Sequence, residues 1–243
     1  MKPGAEVWKD DVLVRTYLEG VRGGIPLAAE QLDAMLRVVA ARDEPVRRFL
    51  DVGSGAGVVA AAVLSRFPEA RAVLVDFSAS MLDAARARFG SDQHRLVLAD
   101  VGQQEWTAEV MGEAPFDAVV SGYAIHHLPD DRKRTLYGEI YGLLSPGGVF
   151  VNIEHVLPAT PWVGGINDTL FIDSLDAHHQ RLGGAKTRQE VADKYFFRPD
   201  KAANILAPVE LQCAWLREIG FADVDCYFKI FELAVFGGQK PAG

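Results

Sequence analysis

Cysteine is scarce: Cys213 and Cys226 are the only two in 243 residues, one in an expected helix and one in an expected strand, without paired-ligand spacing. That excludes a disulfide scaffold or a cysteine-built metal centre and leaves two reduced, buried thiols as the expectation. Long apolar runs are missing too. Nothing approaches the roughly 20 uninterrupted apolar residues needed to cross a bilayer, and the opening MKPGAEVWKDD has no basic leader ahead of an apolar core. The expectation is a cytoplasmic chain with no membrane partner. Positive charge is in deficit, with 25 Lys and Arg against 33 Asp and Glu for a formal net charge of −8. Such a balance disfavours a nucleic-acid partner unless basic residues gather locally. "RKR" at 132–134 begins an expected helix and reads as a solvated face. Internal repeats and low-complexity tracts are absent.

What is present is apolar content of 49%, enough for one large domain or a domain with an elaborated lid. Residues 5–19 and 27–41 read as helices; in the second, Leu32, Met35, Leu36 and Val39 recur on one face and Pro26 is placed to open it. After "RDEP" the chain alternates short apolar runs at 48–52, 72–76, 96–100, 117–121 and 148–153 with helical segments at 56–66, 79–89, 103–111 and 130–144. Near-continuous apolar strands between helices specify a parallel sheet covered on both faces. About 55 residues rich in His, Asp, Gly and Pro then intervene before an amphipathic helix at 209–219. "ADVDCYFKIFELAVFGGQK" reads as two strands in an antiparallel hairpin.

The expected fold class is therefore α/β, a doubly wound, mostly parallel seven-stranded sheet with an antiparallel terminal hairpin. The expected organisation is an N-terminal helical cap at 1–44, a Rossmann-like core at 45–155 and 208–243, and a helical lid insertion at 156–207. The insertion has too few apolar residues for an independent core.

The motif that points to chemistry is "FLDVGSGAGVVAAAVLSRF", where Gly53, Gly55 and Gly57 stand between the first strand and its helix. In a doubly wound sheet that turn lines the ligand crevice. The spacing G-x-G-x-G is one residue shorter than the dinucleotide fingerprint, and the Gly-Lys-Ser/Thr of a triphosphate loop is missing. Asp51, two residues before the first glycine, repels a pyrophosphate and welcomes a cationic sulfonium or ammonium group. Asp76, 25 residues later at the end of the second strand, is placed to accept hydrogen bonds from two ribose hydroxyls. Asp100 in "LVLADV" is placed to accept from an adenine amine. Phe77 and Met81 are placed to cover the ring faces.

This constellation resembles the class I S-adenosylmethionine-dependent methyltransferases, of the small-molecule type similar to methyltransferase types 11 and 12. The resemblance runs over about 45–155, through "FLDVGSGAG", "LVDFSASML", "LVLADV", "FDAVVSGYAIHHL" and "LLSPGGVFV". It implies S-adenosylmethionine as cofactor and S-adenosylhomocysteine as product. It implies contacts from Asp51, Gly53, Ser54, Gly55, Gly57, Asp76, Phe77, Met81, Asp100, Val101 and Ser121. Tyr17 and Arg22, in "RTYLEGVRGGIP", are added as residues that close over the cofactor, Arg22 by pairing with its carboxylate.

The resemblance further implies methyl transfer to an O, N or C nucleophile of a small molecule. For hydroxyl or acidic-carbon acceptors a base is needed, beyond the fourth or fifth strand. The candidates are His126 and His127 in "YAIHHLPDD" and Glu154 and His155 in "VNIEHVLP", with His127, Glu154 and His155 expected to converge. No resident metal is assigned, although two imidazoles and a carboxylate also suit a divalent ion. Trp162, Phe171, Tyr195, Phe196 and Phe197 are expected to line part of the acceptor pocket, and the chain to be a monomer or homodimer. Two alternatives remain: a tRNA-modifying enzyme using this cofactor or a carboxylated relative, and a non-catalytic cofactor-binding protein. "SGYA" stands where "NPPY" would serve transfer to nucleobase or glutamine amide nitrogens.

Overall fold

The computed structural model describes residues 8, 10, 13–14, 22–90, 93–197 and 199–242. Seven strands form one sheet: β1 Arg48–Val52, β2 Arg71–Asp76, β3 Arg95–Leu98, β4 Phe116–Gly122, β5 Leu144–His155, β6 Ala222–Ile230 and β7 Leu233–Gln239. Their order is β3-β2-β1-β4-β5-β7-β6. The pairs β1–β2, β2–β3, β1–β4 and β4–β5 are parallel; β7 runs antiparallel to both β5 and β6. Winding reverses at β1, which opens a crevice beyond the carboxyl ends of β1 and β4.

Both faces of the sheet's central strands are buried, which is why β1, β2, β4 and β5 are largely apolar, whereas the edge strand β6 mixes half-buried with exposed residues. Leu50, Val52, Val73, Val75, Val119 and Phe150 pack in one cluster. Phe49, Leu74, Ala72, Val120 and Val151 pack in the other. Successive strand residues thus enter opposite layers. Helices cover both: α1 Ala28–Ala40, α2 Val58–Arg66, α3 Ala79–Phe89, α4 Trp106–Val110, α5 Asp130–Leu143 and α9 Val209–Ile219. Helix α1 begins later than the Pro26 signal suggests. Leu27, at φ 53, is its N-cap, and the Pro26 carbonyl instead accepts from the side chain of buried Gln31. The expected helix at 5–19 falls largely outside the described residues.

Between β5 and α9 lie α6 Pro161–Arg181, α7 Arg188–Phe196 and the short α8 Pro199–Ala202. Phe171 and Ile172 of α6 join Ile25, Ala192, Tyr195 and Leu233 in a third apolar cluster. Among the described residues, no helix is long and apolar enough to cross a membrane. Cys213 and Cys226 are free thiols, the first buried and the second half-buried.

Candidate active site

The glycine loop forms because three successive alternate residues adopt left-handed backbone: Gly53 at φ 66, Gly55 at φ 52 and Gly57 at φ 72. L side chains disfavour that region. A Cβ on Gly53 would also lie 2.2 Å from the Ala124 Cβ, so the loop presses against the turn that follows β4. Gly57 does different work. A Cβ there would meet the Phe89 ring at 2.6 Å and Leu74 at 3.2 Å, so this glycine seats α2 against α3 and β2.

Asp51 is fully buried, and its Oδ2 accepts the N–H of Ala60 at 3.0 Å, an amide of the first turn of α2. Glycine at the N-cap has no side chain to do this, so a strand carboxylate caps the helix from outside it. Asp76 binds the loop from β2: Oδ2 accepts Gly55 N–H and Oδ1 accepts Ser78 N–H, both at 2.8 Å. Burial raises the Asp76 pKa, and hydrogen bonds from the Ser78, Gly55 and Phe77 amides oppose that shift. Ser121 is buried in β4, its hydroxyl donating to the Val52 carbonyl at 2.7 Å and stitching β4 to β1.

A cavity lies over this loop, with about 790 Å³ free of protein atoms and partly open to solvent. Of the expected cofactor residues, Gly53, Ser54, Gly55, Asp76, Phe77, Met81, Asp100 and Val101 line it together. Asp51, Gly57 and Ser121 are not among its lining residues; they hold the walls from behind. Tyr17 and the side chain of Arg22 lie outside the described residues. The lining residues that sequence reasoning missed include Trp8 and, at and after the end of β4, Gly122, Tyr123, Ala124 and Leu128. Tyr123 carried a readable signal in "SGYA"; Trp8 carried none, since its place depends on tertiary contact.

Of the four catalytic candidates, only His127 is among the lining residues. Its Nε2 accepts the indole N–H of Trp8 at 2.9 Å. The ring of His126 packs against it, tilted 49° with centroids 4.0 Å apart, and His126 Nδ1 lies 2.5 Å from Glu154 Oε1. Glu154 also accepts the His155 N–H at 2.8 Å and the Asn152 amide at 3.3 Å. It is fully buried, and burial pushes its pKa up to about 7 against the lowering effect of those hydrogen bonds. His155 pairs elsewhere, Nε2 at 2.5 Å from Glu232 and Nδ1 at 3.3 Å from the Asn204 amide. The expected convergence therefore divides into one cavity histidine, one buried histidine–carboxylate pair and one part-buried pair. Because β5 ends at His155, the two pairs remain adjacent, with His126 and His155 rings 5.9 Å apart. Among the described residues, no group of three His, Cys, Asp or Glu could hold a metal ion.

The insertion's aromatic residues do not line this cavity. Phe171 and Tyr195 stack on each other at 5.5 Å inside the third cluster, whereas Trp162, Phe196 and Phe197 are exposed. The helices bury aromatics to hold themselves together first. The insertion's histidines are also structural: a Cβ on Gly23 would meet the His178 ring at 2.3 Å, and His179 Nε2 accepts the Lys186 N–H.

Comparison with known proteins identifies the arrangement. A family model for a methyltransferase domain matches residues 49–148. A demethylmenaquinone methyltransferase of Deinococcus radiodurans is 31% identical over 177 residues, covering 72% of this chain and 68% of that one. The chain belongs to the class I S-adenosylmethionine-dependent methyltransferases. An uncharacterised methyltransferase of Mycobacterium tuberculosis is 40% identical over 110 residues, covering 45% of this chain and 51% of that one. The chain spans about half the length of the first such curated relatives. An O-methyltransferase family protein of Burkholderia thailandensis shares the fold, with TM-score 0.63 at 17% identity over 98% of this chain and 60% of that one.

The residues of the loop fit S-adenosylmethionine, the family's cofactor. Ser54 Oγ is buried without a partner and lines the cavity, an arrangement that asks for a polar ligand atom. The acids at the ends of β2 and β3, with no Lys or Arg among the described lining residues, suit a cationic ligand.

Proposed function

We propose that this methyltransferase carries a methyl group from S-adenosylmethionine to a small-molecule acceptor held near His127. One observation supports this most: a single cavity runs from Asp76 and Asp100 at the ends of β2 and β3 to Tyr123 and His127 beyond β4. Bound there, the cofactor supplies an electrophilic methyl on a sulfonium. Asp76 offers acceptors to the ribose hydroxyls, Asp100 to the adenine amine, and Phe77 with Met81 flanks the ring. The loop from Gly53 to Gly55 lets the backbone approach the methionine end.

In this reading His127, a lining residue, receives a proton from the acceptor. Its Nε2 accepts a hydrogen bond from Trp8, which makes that nitrogen the unprotonated one and leaves the proton of the neutral ring on Nδ1. His126 and Glu154 act behind it as positioning residues. Residues 156–207 serve as a lid: Asn204 and Ile205 reach back to His155 and to the His126 carbonyl, so the insertion is anchored beside the proposed base. The test uses methyl-labelled cofactor and a panel of small O, N and C nucleophiles, with release of S-adenosylhomocysteine followed by mass spectrometry. Tight cofactor binding with no acceptor-dependent release across the panel overturns the reading.

A further inference from the structure

We propose that the acceptor is a planar aromatic hydroxyl compound, of the phenol or quinol class, whose O–H takes over the hydrogen bond that Trp8 now makes to His127. The inference rests on the methyl-transfer reading of the same cavity. It starts from what surrounds His127. Trp8, Tyr123 and Leu128 line that end, together with the small residues Gly122 and Ala124. Two aromatic side chains in the same lining as this histidine suit a flat, unsaturated molecule.

The second observation is the hydrogen bond itself. Trp8 presents a planar aromatic ring with an N–H donor to His127 Nε2 at 2.9 Å, its ring tilted 54° with centroids 5.8 Å apart. An aromatic hydroxyl offers the same kind of ring and donor to the same lone pair. The chain's own indole therefore marks where such an acceptor sits. Tyr123, another lining residue, is held firmly. Its backbone is left-handed at φ 57, its N–H donates to the Ile153 carbonyl, and its hydroxyl donates at 2.5 Å to Gln31, itself buried and fixed to the Pro26 carbonyl. A non-glycine residue in that conformation needs such support.

The third observation is the charge around the site. The charged lining residues are Asp76 and Asp100, and the described lining residues include no Lys or Arg to pair with a carboxylate. An acceptor bearing several carboxylates would be repelled by those two acids. In the reaction, the hydroxyl proton passes to His127 Nε2 and an oxygen electron pair forms the new O–CH3 bond. The S–CH3 electron pair stays on sulfur, which becomes an uncharged thioether, while His127 becomes the imidazolium.

The experiment is calorimetry on protein loaded with S-adenosylhomocysteine, using 2-naphthol and, for contrast, tricarballylate. The expected result is binding of 2-naphthol at least about 10-fold tighter than tricarballylate. Trp8→Phe keeps a ring and removes the competing donor, so it should bind 2-naphthol about 3- to 10-fold tighter, with unchanged S-adenosylhomocysteine affinity showing that the fold is intact. Equal or tighter tricarballylate binding, or weaker 2-naphthol binding in Trp8→Phe, overturns the proposal. Naphthol binding without methylation in the presence of labelled cofactor supports the site's ligand chemistry and counts against the activity instead, so the two failures are distinguishable.

Discussion

The carboxylate of Asp76 accepts the backbone N–H of Gly55 at 2.8 Å, so the acid that ends β2 also shapes the glycine loop that ends β1. Its other oxygen holds Ser78, the N-cap of α3. Two loops of the proposed cofactor site thus share one anchor. Asp76→Ala should weaken S-adenosylhomocysteine binding by about 1 to 3 kcal/mol, through ribose hydroxyls left unpaired and a loosened loop. Asp76→Asn retains one acceptor and should lose less. Calorimetry on both variants checks the order; equal affinity in all three proteins would remove Asp76 from the site.

Gly53 should tolerate no side chain. Alanine there combines a φ of 66 with a Cβ placed 2.2 Å from that of Ala124. Gly53→Ala should therefore abolish the thermal shift produced by S-adenosylhomocysteine, and adding Ala124→Gly should restore part of it by removing the steric half of the problem. Gly112→Ala, which meets nothing within 4 Å, should leave the shift unchanged.

What the sequence made legible was whatever local pattern decides. Strand β1 and helices α3 and α9 fall on the expected residues, because apolar runs and helical periodicity are set within one element. The lining acids proposed for the cofactor were legible for the same reason, since Asp76 ends the apolar strand β2 and Asp100 follows β3 by two residues. Asp51 shows the limit. Its charge suggested a ligand, but its partner is the Ala60 amide nine residues on, in a helix start without a capping side chain. His126, Glu154 and His155 could be placed near β4 and β5, yet His155 turns to partners of its own, Glu232 and Asn204, distant residues with no motif. Trp8 belongs to the same class, being 119 residues from His127.

The split between His127 and His126 can be tested kinetically. His127→Ala should lower turnover by about 100-fold or more, as for loss of a general base, while leaving S-adenosylhomocysteine affinity within about 2-fold. His126→Ala should instead lower thermal stability, because it leaves the buried Glu154 carboxylate without its ring partner. Steady-state kinetics and thermal melts on the two variants, side by side, separate the roles. A stability loss confined to His127→Ala would reverse them.

Glu154 should make stability depend on pH. The groups bearing on it are the His126 ring, the His155 N–H, the Asn152 amide, His127, Lys133 and Tyr137, yet burial outweighs the attractive ones and lifts its pKa from 4.5 to about 7. Across that window the folded chain binds a proton that the unfolded chain has released. By linkage, the contribution of Glu154 is neutral below pH 4.5, turns increasingly unfavourable as pH rises towards 7, and stays so above it. Glu154→Gln replaces the acid by an amide of the same shape that carries no charge at any pH. The variant and the natural protein should then have similar unfolding free energies at about pH 5, and the variant should be more stable by about 1 to 3 kcal/mol at about pH 8. Urea titrations at intervals between those values measure the difference directly. A gap that stays constant across the range would mean that the His126 ring compensates the buried charge in full, and that this pair holds an ion rather than a proton shared at neutral pH.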